Sequence, residues 1–177
     1  GALDSNTGGG SNVAIGNGAL SGNILGVQNL AIGQGALAAN TSNFNLAIGA
    51  SALEQNTDGY INLAIGLSAL RSNTTASFNL AIGSYSLANN TIGQGNLAIG
   101  SDSLKSNTIG GYNLALGYQS LDYNTEGFAN LAIGAVAMRL NTTGNYNVAI
   151  GPSALHRNNT GSYNTAIGYY SLFENNG

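Results

Sequence analysis

Hydrophobic and polar positions alternate along this chain in one short pattern that repeats to its end. The pentad Asn-(Leu/Val/Thr)-Ala-(Ile/Leu)-Gly starts at Asn12, Asn29, Asn45, Asn62, Asn79, Asn96, Asn113, Asn130, Asn147 and Asn164. The steps are 17 residues, with one of 16 between Asn29 and Asn45. With that asparagine as repeat position 1, position 3 is always Ala and position 5 always Gly. Position 8 is Ala or Ser, position 9 is Leu (Met138 once), position 12 is Asn and position 13 is mostly Thr. Self-similarity at a fixed short period marks a solenoid or fibrous array in which each unit contacts mainly its neighbours.

Positions 1 to 4 read as a short strand with side chains alternating between two faces. The glycine at position 5, Gly100 in the copy that starts at Asn96, permits a sharp corner. Positions 7 to 10 form a second apolar stretch, expected as a second strand centred on Leu104, and positions 12 to 15 carry turn residues. The pattern therefore predicts an all-β fold, a parallel β-solenoid (β-roll) of ten 17-residue coils with two short strands per coil. Residues 1–11 read as a partial leading coil and residues 12–177 as the ten-coil array. Stacking at about 4.8 Å per coil gives a rod of about 50 Å. A strand-plus-helix coil of the leucine-rich type fits less well, because those repeats run to about 20–29 residues and need an L-x-x-L-x-L frame. The shorter step falls within Asn40-Thr41-Ser42-Asn43-Phe44, which marks positions 13 to 16 as an outer loop that tolerates length changes.

Charge sharpens this map. All eleven charged side chains fall at positions 7, 10, 11 or 14, and position 10 alone holds Asp4, Glu54, Arg71, Lys105, Asp122 and Arg139, with His156 in the same column. That column is expected to face water, with Glu54 over Arg71 and Lys105 over Asp122 over Arg139, each exposed pair worth about 0.2–1 kcal/mol. Both faces of the first strand are apolar, so in a lone thin coil either the alanine stripe or the Leu/Ile stripe lies outside as a large apolar patch. A second copy of the chain is the simplest cover. The small residues Ala14, Ala31, Ala47, Ala64, Ala81, Ala98, Ala115, Ala132, Ala149 and Ala166 suit oligomer or layer packing, and an oligomeric rod, trimer favoured, is expected. The ten asparagines at position 1, like those at position 12, are read as ladders whose amides bond from coil to coil.

Asn12-Val13-Ala14-Ile15-Gly16 and its nine relatives resemble the head repeats of trimeric autotransporter adhesins. The longer unit from Asn141 to Gly151 also resembles repeat arrays in phage tail-fibre-like and bacterial surface proteins. The resemblance covers nearly the whole chain and implies a left-handed parallel β-roll of three chains. The period here is longer than in the adhesin heads, and residues 1–177 themselves contain neither a heptad pattern nor an apolar run of membrane-spanning length.

Little in the chain carries chemistry. The single histidine, His156, has no recurrent carboxylate beside it, so a Ser/His/Asp set is not expected, and neither catalysis nor a metal or other cofactor is. Asp102, Asp122 and Glu126 read as a solvated acidic face interleaved with Lys105. Gly8-Gly9-Gly10-Ser11-Asn12 lacks the aspartates of a calcium roll and the Lys-Ser/Thr of a P-loop. A net charge of −3 with 6% charged residues excludes a phosphate-tracking surface, so no nucleic-acid partner is expected. No apolar run has the length of a membrane span, so membrane insertion is not expected either. Cysteine is absent, which excludes disulfides. Five Asn-x-Ser/Thr sequons, at Asn40, Asn73, Asn89, Asn141 and Asn158, map to one outer corner, where glycosylation is sterically easy; an Asn-Thr-rich turn also generates sequons by chance.

The expected function is structural: a rigid segment of an extracellular fibre, filament or adhesin shaft at a cell or virion surface. The alternative is a surface-binding module for glycans or ice, the latter through the column Thr7, Thr41, Thr57, Thr74, Thr91, Thr108, Thr125 and Thr142. The array enters at position 7 and leaves at position 14 with Gly177, without polar caps. That predicts head-to-tail self-association, or further coils, besides the lateral kind.

Overall fold

Each repeat closes into one coil of an all-β parallel solenoid, and the computed structural model describes residues 1–175 of it. The expected exit at Gly177 lies outside those residues. The pentads form three-residue strands: β1 (Val13–Ile15), β2 (Leu30–Ile32), β3 (Leu46–Ile48), β4 (Leu63–Ile65), β5 (Leu80–Ile82), β6 (Leu97–Ile99), β7 (Leu114–Leu116), β8 (Leu131–Ile133) and β9 (Val148–Ile150). After β10 (Arg157–Asn158) comes β11 (Thr165–Ile167), which extends the same sheet, and β12 (Glu174–Asn175) pairs with β10 in a second, two-stranded sheet. The main sheet has ten parallel strands in the order β1 to β9, then β11. Its register sets alanine on alanine, as in Ala81 to Ala98 to Ala115.

Glycine at position 5 follows every strand of the main sheet; its φ is positive throughout, and in all but the last coil its surroundings also leave no room for a side chain. Gly100 has φ +136°, and a Cβ there would lie 2.4 Å from the Gly117 carbonyl oxygen of the next coil. The 16-residue step leaves the sheet undisturbed, with Leu30 still opposite Leu46. The missing residue is taken out of the outer loop: Asn40 Nδ2 reaches the carbonyl of Ser42, two residues on, where Asn56 reaches Gly59, three on.

Positions 7 to 10 are not a second extended strand. They are a run of tight turns, with repeat positions 7 and 9 at positive φ, for example Tyr85 (+59°) and Leu87 (+51°). In that coil Ser86 N–H donates to Gly83 O, Ala88 N–H to Tyr85 O and Asn90 N–H to Leu87 O, at 3.3, 3.3 and 3.1 Å. The reason is burial. Positions 8 and 9 are both interior, as in Ala36 and Leu37 at 0% exposure, whereas an extended strand would turn one of two neighbours outward. Coil-to-coil bonds continue through the turns, with Leu87 N–H on Ser103 O at 2.9 Å.

Alanines of position 3, residues of position 8 and leucines of position 9 fill the coil from opposite walls as one continuous core. A left-handed backbone costs an L-residue about 1–2 kcal/mol. Burying a leucine returns about 1.5–3 kcal/mol, so leucine holds position 9 despite its backbone preference. At position 7 the side chain lies outside this core and that compensation weakens. Val136, half-buried and β-branched, has φ +53° where the first two full coils carry Gly18 and Gly35. Val136→Gly is therefore expected to raise thermal stability by about 1 kcal/mol. A lower melting temperature in a scanned unfolding curve would show that the valine's contacts outweigh its strain.

Candidate interaction surface

With the alanines inside, the outer face of the main sheet consists of positions 2 and 4. Leu97 is half-buried and Ile99 is 38% exposed, and Val13, Ile15 and Ile167 are more open. The alanines from Ala31 to Ala166 are buried within the single chain, and Ala14 packs against the same core. They serve layer packing inside each coil and present no face to another copy. The cover expected over an alanine stripe is thus a wall of the same coil. Aromatic and aliphatic side chains border the Leu/Ile stripes on one edge, among them Phe78, Tyr112 and Tyr146 of position 17. Tyr60 meets Phe78 edge-on at 5.1 Å, and Tyr146 stacks on Tyr163 at 5.2 Å. No charged residue occurs at positions 1 to 6 or 15 to 17, so face and edge are both uncharged.

The charged column lies on another side. Arg71 pairs with Glu54 at 3.3 Å and Arg139 with Asp122 at 3.4 Å, as the 17-residue offset implies. Lys105 turns instead to Asp102 in its own coil, at 2.9 Å, and that hydrogen bond raises its pKa. Asp122 departs from the expectation that this column faces water, since it is buried at 6% exposure. Burial raises its pKa, against the opposing effects of Arg139 and Lys105. A raised carboxyl pKa means that the folded chain binds the proton more readily than the unfolded one. This contribution to stability is full below about pH 3.9 and is lost as pH rises through the folded value. Asp122→Asn mimics the protonated form. It is expected to melt at or above the parent at pH 7 and together with it at pH 3. A variant that melts lower at pH 7 would mean that the Arg139 pair dominates.

His156 also differs from a plain solvent-facing residue. It is half-buried and stacks on Phe173 at 4.9 Å, and its Nδ1 has no hydrogen-bond partner among the described residues. Burial, followed by Arg139 and Arg157, lowers its pKa, which favours the neutral ring. Among the described residues no three of His, Cys, Asp and Glu converge as a metal site would require.

Both asparagine columns are interior ladders. Asn107 Nδ2 donates to Asn90 Oδ1 of the coil before and to Gly110 O of its own turn, both at 2.8 Å. Asn96 Nδ2 donates to the same Gly110 carbonyl at 2.9 Å, while its Oδ1 accepts the Asn113 backbone N–H at 3.0 Å. The sequon map changes in consequence. Asn40, Asn73, Asn141 and Asn158 are at 0% exposure with their amides in the ladder, so a glycan on any of them is incompatible with this fold. Asn89, one position earlier, is exposed and is the one sequon asparagine that the coil leaves open. The signal was present in the sequence: an asparagine that recurs in every coil belongs to a ladder, and Asn89 is the one off that column. The threonine column is similarly engaged, with Thr91 Oγ1 donating to Thr108 O at 2.9 Å.

No protein-family model, curated protein or solved structure matches the chain.

Proposed function

We propose that this chain is a structural segment of an extracellular fibre, filament or adhesin shaft at a cell or virion surface. Its copies associate side by side through the Leu/Ile face of the main sheet. The observation that carries this reading is the ten-strand, in-register sheet with an uncharged outer face of leucine and isoleucine. Ten strands about 4.8 Å apart and three residues wide make a face of roughly 500 Å² per copy. That is toward the upper end of the largest apolar patches on typical monomers, about 300–600 Å², which are often functional. Two such faces reach about 1,000 Å², the size that a specific interface clears. A second copy has the same ridge spacing and meshes at every coil. Three copies are favoured by the likeness of the Asn-Val-Ala-Ile-Gly units to trimeric adhesin heads, and the longer units support a place among tail-fibre-like or surface repeat arrays.

The test is sedimentation of the parent and of Leu63→Gln/Leu97→Gln/Leu131→Gln, with electron microscopy of the parent. The parent should sediment as a multimer of rods, and the variant as a monomer with an unchanged circular dichroism spectrum. A parent that is monomeric at tens of micromolar would sink the lateral association. Ice recognition draws less support, because the threonine hydroxyls donate to backbone carbonyls instead of standing free on a flat strand. A glycan-binding role draws support from one local feature of the outer corner.

A further inference from the structure

On the outer corner, beside the edge of the Leu/Ile stripes, the repeat is interrupted by a shallow depression of about 450 Å³, lined by Ile92, Gln94, Ile109, Gly111, Tyr112 and Phe128. Two glycines create it. Gly95 stands where other coils carry a position-17 side chain, and Gly111 where others carry one at position 16. Both neighbouring rings lean back over these glycines. A Cβ on Gly95 would lie 2.8 Å from the Tyr112 ring, and one on Gly111 3.0 Å from the Phe128 ring. The rings stay open to solvent, Tyr112 at 68% and Phe128 at 40% exposure.

The backbone beneath also bears on the site. At four position-16 residues the N–H donates to a side-chain oxygen of the next coil: Val27 to Asn43 Oδ1, Tyr60 to Ser77 Oγ, Phe128 to Asn145 Oδ1 and Asn145 to Ser162 Oγ, at 2.7–3.1 Å; the N–H groups of Asn43 and Ser77 make no such bond among the described residues. Gln94 has only Gly111 above it, and Gly111 only the Phe128 ring. Among the described residues, neither N–H has such an acceptor. Gln94 is exposed, which leaves room beside the apolar rim for an acceptor supplied from outside.

The geometry points to a binding site for a neutral pyranose unit of a glycan, stacked against Tyr112 and Phe128 with a hydroxyl oxygen accepting from the Gln94 N–H. A sugar ring combines an apolar C–H face with a polar edge, which matches exposed rings beside a free amide donor. The Gln94 side-chain amide and the Tyr112 hydroxyl add a donor and acceptor each. The lining carries no charge, and Glu126 occupies the next place after Ile109 in the position-14 column, so a neutral sugar suits the site better than an acidic one. Occupation by another copy along the rod is disfavoured because the feature is local, whereas a rod-to-rod contact would use every coil. Tyr112 also borders the face proposed above for lateral association, and sedimentation reads that association separately from sugar binding.

Amide NMR of the isotopically labelled whole chain tests this with cellotetraose, maltotetraose and chitotetraose as neutral probes and a sialyl-lactose control. At least one neutral probe should shift the Gln94 and Gly111 amides saturably, and the acidic control should bind at least ten-fold more weakly. Gly111→Ser places an oxygen where Ser77 holds one, and Tyr112→Ala removes the stacking face. Each should weaken binding at least ten-fold while the remaining amides keep their positions. The proposal is overturned if no neutral probe shifts these amides. It is equally overturned if the shifts survive both substitutions, or if the amides change with protein concentration alone, which would mean that a second copy occupies the site.

Discussion

Asn90→Ala should cost about 3 kcal/mol of stability, while Asn89→Ala, one residue earlier, should change it by less than about 0.5 kcal/mol. Both asparagines sit in the same turn, and their side chains differ only in direction. Asn90 Nδ2 donates to Asn73 Oδ1 at 3.0 Å and to Gly93 O at 2.9 Å, and its Oδ1 accepts from Asn107 Nδ2 at 2.8 Å. Removing the amide strips a partner from Asn73 of the coil before and Asn107 of the coil after, in a site at 0% exposure. A buried polar group without a partner costs about 1–3 kcal/mol. Two such losses plus the small void set the estimate, reduced because Asn107 Nδ2 keeps Gly110 O and Gly93 O keeps the Asn79 amide. Guanidinium denaturation of the two variants is the measurement. Equal midpoints would mean that the ladder is not what holds the turn.

Ala98→Leu should be destabilising by about 3 kcal/mol, and Ala38→Leu by less than about 0.5 kcal/mol. Ala98 is at 0% exposure, faces the leucines of position 9 and is flanked in register by Ala81 and Ala115. Overpacking commonly costs about 1–3 kcal/mol, and the upper end applies because backbone bonds and amide ladders on both sides hold the coil spacing. Ala38, at position 10 and half-buried, can direct a longer side chain outward. In an array with nearest-neighbour coupling the damage should stay local. Hydrogen exchange should therefore speed up in the coils around Ala98 before the distant ones. Equal loss of stability at the two sites would contradict the assignment of the inner face.

Much of the architecture was legible in residue spacing. The pentad's ten occurrences imply that the first of the two strands expected per coil stacks parallel and in register, because any other stacking would misalign identical side chains between coils. The column of charges marked an outer side, and the Glu54–Arg71 and Asp122–Arg139 pairs follow from an offset of 17. The candidate sites were less legible. Four sequon asparagines read as exposed corner residues because turns usually are exposed, yet an inward-facing corner satisfies its carbonyls with those same amides. The depression near Tyr112 was invisible in the pattern, since a missing side chain at Gly111 becomes a feature only when the next coil's ring leans over it.

The sequence by itself determined the period, the parallel stack and the uncharged strand face, because a repeat imposes the same neighbours on every copy of a residue. Tertiary structure alone decided which face of the strand turns inward. Alanine and leucine are both apolar, and their alternation is consistent with either orientation. The choice falls to volume: the core of so thin a coil accepts an alanine from one wall against a leucine from the other, and the larger Leu/Ile pair of the strand must go outside. The same limit converts positions 7 to 10 from a strand into turns, since Ala36 and Leu37 must both reach the one interior that the coil possesses.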